Sequence, residues 1–477
     1  MTNPRALTVQ DIVQATGGKI LSQKENLFQG VSTDTRDSMP GKLFIALKGD
    51  SFDAHQFLAQ AVSQGAAALL VHTPSIPPEI LENITVIVVS DTLVALQQLG
   101  HFQRRRSKSL VVGITGSNGK TTSKEFSAGL ISVYRKVHIP KGSFNNHWGV
   151  PLTLLAEPEG TEVSLIEMGM NHAGEIQRLC EIAEPDVVVC SMVGRAHMEH
   201  FGSLDKVAEA KEEIYRFAKP EAKRIYNLDN IYTRQMFAKA PQDYPKALDY
   251  LSFSSEQAFA DVFFQIDHIT MSQISLRGTI SGIPGEARVP VFGVHNLTNL
   301  MVAACVALAA DLEPEQIWAA LPNCRTNWGR NQLVRLRSGA EMLFDGYNAN
   351  PDSMKALLEN VSLIKSSGKK VGVFAQMLEL GDQSATLHEE LGEQVGQAGF
   401  DWVWFYGPDA EAFQRGMQTS RFKKSLMVSV AYEDSLASKL ASVLNLHDTV
   451  LVKGSRGMKL ERFVMACDPL DFSLNKE

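Results

Sequence analysis

The segment VVGITGSNGKTTSKEF, residues 111–126, constrains this chain more than any other part of the sequence. An apolar run typical of a buried strand leads into a glycine-rich turn, and a helical pattern follows it. A standard phosphate-binding loop has a glycine five residues before its Gly-Lys pair. Here Ile114 occupies that position, so the loop keeps only the compact form T-G-x-x-G-K-T over residues 115–121.

The chemistry of a phosphate loop survives this altered spacing. Gly116 and Gly119 allow backbone N–H groups to face phosphate oxygens, and the following helix adds its positive N-terminus. Lys120 would reach the β- and γ-phosphates of ATP, and the Thr121 hydroxyl would bind Mg²⁺. An ordinary glycine-rich turn is the alternative, but the strand before it and the helix after it favour phosphate binding. The predicted ATP contacts are Thr115, Gly116, Ser117, Asn118, Gly119, Lys120, Thr121 and Thr122.

Chain length, net charge and cysteine content limit the classes of protein to which this chain can belong. A chain of 477 residues is expected to form two to four domains. The net charge of −7 disfavours nucleic acid as a partner, and the run Arg104–Arg106 is interpreted as a solvated helix face. No stretch of about 18 apolar residues predicts a membrane span. The five cysteines lack metal-ligand spacing, and buried free thiols in a reducing cytoplasm explain them best.

Three segments follow one another along the chain. Residues 1–107 mix short apolar runs with helical patterns, and residues 108–327 alternate strands and helices around the loop, which predicts a parallel sheet. Residues 328–477 repeat the alternation and predict a second α/β sheet. The predicted fold class is therefore α/β in three domains: an N-terminal mixed domain, a central parallel-sheet phosphate-loop domain and a C-terminal Rossmann-like domain.

Two residues that follow strand-like runs in the central segment are candidate metal ligands. Glu167 ends the run VSLIE, and the carboxyl ends of parallel strands face the ligand crevice. His197 follows the run DVVVCSMVG, with His200 as a competing candidate. Taken alone, Glu167 is equally a capping glutamate and His197 a satisfied structural histidine. Lys211 lies on an amphipathic helix beside glutamates, and its spacing alone predicts a solvated lysine.

Several further motifs resemble one protein family. TGSNGKTT, EMG, RAHMEHFGS with AKEEI, and HNLTN together resemble the ATP-dependent Mur ligases of bacterial cell-wall synthesis. The compact loop spacing is a trait of that family. The opening VSTDTRDSMPGKLFIALKGDSFDAHQF resembles its uridine-nucleotide domain. YNANPDSM and LVKGSRGMKLE resemble the C-terminal motifs of the member that adds a dipeptide, whereas sibling enzymes carry histidine-containing sequences there.

The resemblance implies an activity and its cofactors. An enzyme of this kind uses ATP to join D-alanyl-D-alanine to UDP-N-acetylmuramoyl-tripeptide through an acyl phosphate, in peptidoglycan precursor synthesis. It is expected to be a cytoplasmic monomer that requires two Mg²⁺ ions, binds no nucleic acid and has no membrane span. Lys211 would carry a carbamate, a carboxylate formed from its amine and CO₂. The implied catalytic and metal-binding set is Lys120, Thr121, Glu167, His197 and Lys211.

Other site residues are also implied by the resemblance. Asn296 and Asn299, which share a helix face, are implied to contact the nucleotide, as are Arg330 at the phosphates and Asp345 near the ribose. Taken alone, Asn296 is equally a helix cap, and Asn145-Asn146 is equally a turn. The implied substrate contacts are Ser32, Thr33, Asp34, Arg36, Asn145, Asn146, Asn348, Asn350, Lys453, Ser455 and Arg456.

Two places depart from the family pattern. Phe344 stands where an acidic residue is usual and Gly346 where serine is usual, while Ala375 and Gln376 replace a Gly-Asp pair. Gln376 cannot carry the negative charge of an aspartate, which leaves the ribose and third-domain contacts open. Two alternatives to the implied activity therefore stand: a nucleotide-binding relative without catalysis, and a ligase with another amine substrate. The retained loop and metal-ligand candidates argue against the first.

Overall fold

The computed structural model describes residues 4–49, 52–73, 75–140, 142–195, 201–361 and 367–474. Three main sheets are each built from a continuous part of the chain, and helices pack against them. This arrangement confirms the predicted α/β class with three domains. The limits expected at 107/108 and 327/328 fall between the sheets, and the boundaries themselves stay predictions.

The first sheet is small and mixed in direction. Its edge strand runs antiparallel to its neighbour, and the other strand pairs are parallel. The middle strand, ALLV, is buried along its whole length, as expected for a parallel strand covered on both faces. The order across the sheet is Lys19–Ser22, Thr85–Val88, Ala68–Val71, Leu43–Ile45 and Val31–Ser32, and Leu7–Thr8 pairs separately with Leu27–Phe28.

The central sheet carries the phosphate loop. Seven of its nine strands are parallel, and the last two are added antiparallel, which the sequence analysis did not expect. A two-residue turn, Ser281-Gly282, joins those last two strands and is too short for a crossover. The order across the sheet is Ile283–Val289, Ile274–Ile280, Val262–Ile269, Tyr250–Ser254, Lys223–Asn227, Val187–Cys190, Leu110–Thr115, Val163–Glu167 and Val137–His138.

The third sheet has six strands, and only its first strand is antiparallel to the rest. Thr449–Lys453 lies in the middle and is buried throughout. The loop that follows Glu341–Asp345 contacts the central domain through Tyr347 and Asn350. The order is Gln332–Arg335, Glu341–Asp345, Thr449–Lys453, Lys370–Ala375, Trp402–Tyr406 and Ser425–Ser429.

Helices cover all three sheets. In the described N-terminal part they are Val9–Thr16, Leu58–Ser63, Pro78–Leu81 and Thr92–Arg106. The central part has Lys120–Ile131, Gly149–Leu155, Glu175–Ala183, Leu204–Arg216, Ile231–Asp243, Asn296–Ala309 and Pro314–Ala320. The C-terminal part has Pro351–Val361, Ser384–Gln397, Ala410–Thr419, Asp434–Ser442 and Glu461–Ala466. Short 3₁₀ turns occur at Ala54–Phe57, Leu321–Asn323, Gly381–Gln383 and Arg456–Met458.

Arg104 joins the first domain to the second, so its interpretation as part of a solvated helix face was wrong. Its side chain is 6% exposed and pairs with Asp186 at 2.7 Å. It also donates hydrogen bonds to the carbonyls of Ala183 and Glu184, at the end of the helix Glu175–Ala183. A cation suits these carbonyls because the C-terminal end of a helix is electronegative. The neighbouring Arg105 is exposed, as predicted.

We expect Arg104→Ala to lower the free energy of unfolding by about 2 kcal/mol, because two helix-end carbonyls lose their buried donor while Asp186 keeps its pair with Lys219. Arg105→Ala, one residue along the same helix, is the matched control and should change stability by less than about 0.5 kcal/mol. Chemical denaturation of the two variants beside the unchanged protein measures the difference. Equal midpoints for both variants would contradict this role.

The cysteines are free and buried, as predicted. Burial raises the pKa of Cys190 to about 11. These thiols are therefore packing residues with little thiolate character. Within the described ranges, no helix combines the length and the apolar character needed to cross a membrane.

Candidate active site

The phosphate loop has the strand–turn–helix form that the sequence predicts. It follows the strand Leu110–Thr115, and the helix Lys120–Ile131 begins directly after Gly119, whose φ of 83° suits glycine. A Cβ atom at Gly116 would collide with the Ser191 hydroxyl, and one at Gly119 would collide with the Asn299 side chain. Both glycines are therefore required by close packing beneath the loop as well as by backbone conformation.

Lys120 lies folded over this loop. Its Nζ donates a hydrogen bond to the Gly116 carbonyl at 2.7 Å, and burial lowers its pKa. The loop is supported from the neighbouring strand end, where Ser191 donates to the Asn118 carbonyl at 2.6 Å and Ser117 bonds to Gly194. An anion in the loop would meet the Lys120 ammonium and the N-terminus of a helix together.

Glu167 and Thr121 lie together, and this is the strongest feature of the site. The Glu167 carboxylate is almost fully buried at the carboxyl end of its strand. Its Oε2 accepts a hydrogen bond from the Thr121 hydroxyl at 2.9 Å, and its Oε1 accepts one from the Asn145 amide at 2.9 Å. A hydroxyl and a carboxylate beside a phosphate loop are the hard oxygen donors that Mg²⁺ prefers, so these residues fit that ion. His197, the other predicted ligand, lies outside the described residues.

Lys211 is buried, so its spacing-based interpretation as a solvated lysine was wrong. The side chain is 1% exposed, and its electrostatic neighbours include Lys120 and Cys190. Burial, assisted by the charge of Lys120, lowers its pKa from 10.5 to about 7. A signal was present in the sequence: Lys211 lies four residues after Val207 and three before Ile214, on the buried stripe of its helix.

Asn296 and Asn299 share a helix face as predicted, and the structure places them beneath the phosphate loop. The Asn299 amide donates to the Asn296 side chain at 2.9 Å, and Ser123 of the loop helix donates to Asn299 at 3.1 Å. Asn296 also donates to the Phe292 carbonyl. Both side chains are buried and support the loop from behind, and their predicted contact with the nucleotide stays a prediction.

The C-terminal domain reaches the phosphate loop through several side chains. Arg330 donates to the Thr121 hydroxyl at 3.1 Å and stacks on the Tyr347 ring at 4.2 Å. The Asn350 amide bonds to Asn118 at 3.0 Å, and the Tyr347 hydroxyl lies 2.9 Å from Ser143. Arg330 and Asn350 were predicted site residues, whereas the contacts of Tyr347 were not predicted, because they depend on how two domains meet.

Lys453 and Asp345 form a buried ion pair. The Lys453 ammonium also bonds to the Asn348 carbonyl at 3.2 Å, which commits its charge inside the C-terminal domain. In this structure Lys453 positions the segment that follows Asp345, and its predicted contact with the substrate stays a prediction. Ser455 likewise faces inward and accepts from the Leu378 N–H at 3.0 Å.

Arg456, which was predicted to contact the substrate, makes its contacts inside the C-terminal domain in this structure. Its guanidinium pairs with Glu461 at 2.9 Å and stacks on the Trp328 ring at 4.4 Å.

In the first domain, Ser32 bonds to Asp37, while Arg36 folds back on Asp34, and this hydrogen-bonded pair lowers the pKa of Asp34. Thr33, Asp34 and Arg36 remain partly or fully exposed, so the turn is accessible to a ligand.

The departures from the family pattern are compensated inside the C-terminal domain. The Phe344 ring occupies the space that a side chain at Gly346 would need, so these two changes depend on each other. Gln376 bonds to Asp409 through its amide, and Ser384 donates to the same carboxylate at 2.6 Å. The negative charge that Gln376 lacks is thus present next to it on Asp409. Ala375 is buried in the core.

A cleft of about 1430 Å³ connects these features. The phosphate loop, the segment 143–147 and the segment 378–383 form its walls. Predicted site residues that line it are Ser117, Asn118, Gly119, Lys120, Thr121, Asn145, Asn146, Glu167, Arg330, Asn348 and Asn350. Lys453, Ser455, Arg456, Asn296 and Asn299 are not among its lining residues.

His295 and Asn331 are candidate ligand contacts that the sequence analysis missed. The Asn331 amide lies 3.0 Å from His295 Nε2, across the junction of the two domains. Within the part of the chain that the structure describes, His295 Nδ1 and Asn331 Oδ1 are buried without a hydrogen-bond partner. Burial lowers the pKa of His295 to about 4, so its ring is neutral at physiological pH. Buried polar atoms are normally hydrogen-bonded, so these two atoms are suited to a water molecule or a polar ligand.

Comparisons with known proteins agree along the whole chain. The Mur ligase family catalytic domain matches residues 27–104, the Mur ligase middle domain residues 114–307, and the Mur ligase glutamate ligase domain residues 329–456. The UDP-N-acetylmuramoyl-tripeptide–D-alanyl-D-alanine ligase of Bacillus subtilis is 35% identical over 96% of this chain and 97% of its own length. The enzyme of that name from Escherichia coli is 32% identical over 97% and 98%.

Solved structures give the same result. The crystal structure of MurF from Acinetobacter baumannii superposes with a TM-score of 0.86 at 29% identity, covering 98% of this chain and 99% of that one. The MurF ligase of Thermotoga maritima in complex with ADP has a TM-score of 0.77 at 26% identity, covering 92% and 96%. From its sequence, its fold and its site, this chain belongs to the Mur ligase family.

Proposed function

We propose that this chain joins D-alanyl-D-alanine to UDP-N-acetylmuramoyl-tripeptide, with ATP, in peptidoglycan precursor synthesis. The products are UDP-N-acetylmuramoyl-pentapeptide, ADP and phosphate. The observation that carries the proposal is the contact between Thr121 and Glu167 next to the phosphate loop. The relatives named UDP-N-acetylmuramoyl-tripeptide–D-alanyl-D-alanine ligase match this chain over nearly its whole length. A relative that binds ADP supports the nucleotide.

The reaction needs an activated carboxylate. The substrate carboxylate oxygen attacks the γ-phosphorus of ATP, the bond to ADP breaks, and an acyl phosphate forms. The dipeptide amine then attacks the acyl carbon, a C–N bond forms, phosphate leaves and a proton is released. Because two anions meet in the first step, Lys120 and Arg330 act by placing positive charge around the transferred phosphoryl group. The cleft walls hold the two substrates in line and limit the access of water.

Magnesium would be held by Thr121 and Glu167. Bound there, it would neutralise negative charge that develops on the phosphates during the transfer. We further propose that a carbamate on Lys211, with Glu167 and His197, holds a second Mg²⁺. A buried amine beside Lys120 supports this, because a second ammonium there would be repelled, whereas a carboxylate would be attracted.

The other substrate contacts are proposals of the same kind. The adenine ring, which has nitrogen donors and acceptors, would satisfy His295 and Asn331. Asn145, Asn146, Asn348 and Asn350 would meet the peptide and the dipeptide in the cleft. The exposed turn that includes Ser32, Thr33, Asp34 and Arg36 would meet the uridine diphosphate. We propose that the protein works as a monomer in the cytoplasm.

Phosphate release with ATP, Mg²⁺ and UDP-N-acetylmuramoyl-tripeptide, measured with and without D-alanyl-D-alanine, tests the activity. Tripeptides ending in either lysine or diaminopimelate should both be supplied. We expect release that depends on the dipeptide, with the mass of the pentapeptide product appearing. ATP binding without dipeptide-dependent release would reject the proposal. If phosphate is released only with a different dipeptide, that dipeptide is the amine substrate, and the proposed mechanism still holds.

A further inference from the structure

Lys124 is a fully buried lysine that the proposed mechanism does not use. It lies one helical turn after Lys120 in the helix Lys120–Ile131, so both side chains leave the same face. Its Nζ donates to the Gly142 carbonyl at 2.9 Å and lies 3.2 Å from Glu125 and 3.8 Å from Glu167 Oε2. Burying a cation is costly, and the carboxylates of Glu125 and Glu167 offset that cost at Lys124.

The segment that Lys124 holds is a wall of the cleft. Gly142 begins the segment 142–146, in which Asn145 donates to Glu167 and Ser143 meets Tyr347 of the C-terminal domain. The Asn145 carbonyl also accepts from the Gly169 N–H at 2.8 Å. One bond from Lys124 thus connects the phosphate-loop helix, the candidate metal carboxylate and the domain junction.

We propose that Lys124 is a positioning residue, which holds the segment 142–146 against Glu167 so that the UDP-N-acetylmuramoyl-tripeptide binds in register with the phosphate loop. This inference rests on the proposed function. It assigns Lys124 to the peptide substrate and not to the nucleotide, because Nζ faces Gly142 while Lys120 bends back over Gly116.

A simpler role would be neutralisation of Glu125. That explanation does not account for the bond to Gly142, and the Glu125 side chain is 14% exposed, so it has some access to water. The two explanations separate in a set of three variants: Lys124→Met, Glu125→Gln and the double variant. Methionine matches lysine in length without the charge, and the double variant also removes the charge of Glu125. Glu167 stays charged in every variant and keeps Thr121 and Asn145 as hydrogen-bond donors.

The experiment measures the KM for the tripeptide substrate, the Kd for ADP with Mg²⁺ by calorimetry, and the thermal midpoint. Lys124→Met and the double variant should both raise the KM about tenfold or more, the effect of losing a hydrogen bond from a charged group. The ADP affinity should stay within about twofold, because Lys124 makes none of the loop contacts. Glu125→Gln should behave like the unchanged protein.

Other outcomes would overturn the inference. An unchanged KM in the double variant would show that Lys124 only neutralises Glu125. Parallel losses of ADP affinity and tripeptide affinity would assign it to the loop or to the fold. If the unchanged protein binds the tripeptide without ligating it, the proposed function fails, and calorimetric tripeptide affinity of the same variants still decides the role of Lys124. If the tripeptide does not bind at all, both fail.

Discussion

Lys120→Ala is expected to lower kcat for dipeptide-dependent phosphate release by about 100- to 1000-fold, the usual loss when one preorganised charge contact to a transition state is removed. The reason lies in the position of the ammonium over the loop, 2.7 Å from the Gly116 carbonyl. Alanine leaves the loop backbone in place, so part of the nucleotide affinity should remain. Steady-state kinetics with both substrates, together with ADP titration, measure the two effects.

The matched control is Lys136→Ala, an exposed lysine a few residues beyond the same helix, which should leave kcat within about twofold. The thermal midpoint of Lys120→Ala should stay near that of the unchanged protein, because removing a desolvated charge does not open a packed apolar core. A Lys120→Ala variant that keeps full activity would reject the phosphoryl-transfer role. Loss of folding together with activity would reject the transition-state explanation.

The sequence pattern was sufficient to predict those parts of the site that depend on the geometry of a single helix, strand or loop. The loop conformation follows from glycines at 116 and 119 between a strand and a helix, and Glu167 reaches it because carboxyl ends of parallel strands share one edge. Asn296 and Asn299 share a face by helical geometry alone. Which way that face points is a tertiary fact, and it proved to be the underside of the loop.

Burial and domain contact were the parts that the sequence did not reveal. Arg104 looked like one of three equivalent arginines, but only its position meets the end of another helix. The pairing of Lys453 with Asp345 had no signal in the sequence. Phe344 and Gly346 looked like two separate departures, yet the ring of one fills the space left by the other. The contacts of Arg104 and Lys453 join residues far apart in the chain, and the fit between Phe344 and Gly346 depends on how the Phe344 ring is oriented in the folded domain.

Lys211→Ala is expected to lower kcat by about 100-fold or more, because the proposed carbamate and the metal charge it would hold would be lost together. Carbamate formation joins the amine nitrogen to the carbon of CO₂ and releases a proton, so it requires the neutral amine. The pKa of Lys211, lowered by burial to about 7, makes that form available at neutral pH. In an unfolded chain the ordinary pKa of 10.5 would keep the amine protonated.

Removal of CO₂ separates this chemistry from a packing role. Protein held in CO₂-free buffer below the pKa of Lys211 should lose activity, since protonation of the amine releases CO₂, and bicarbonate should restore it at neutral pH. Lys211→Ala should not respond to bicarbonate, and Lys206→Ala, an exposed lysine on the same helix, should respond like the unchanged protein. If the unchanged protein is active without CO₂ while Lys211→Ala is inactive, the carbamate hypothesis is rejected. That result would leave Lys211 acting through its amine, and the second Mg²⁺ would then lack a ligand from this helix.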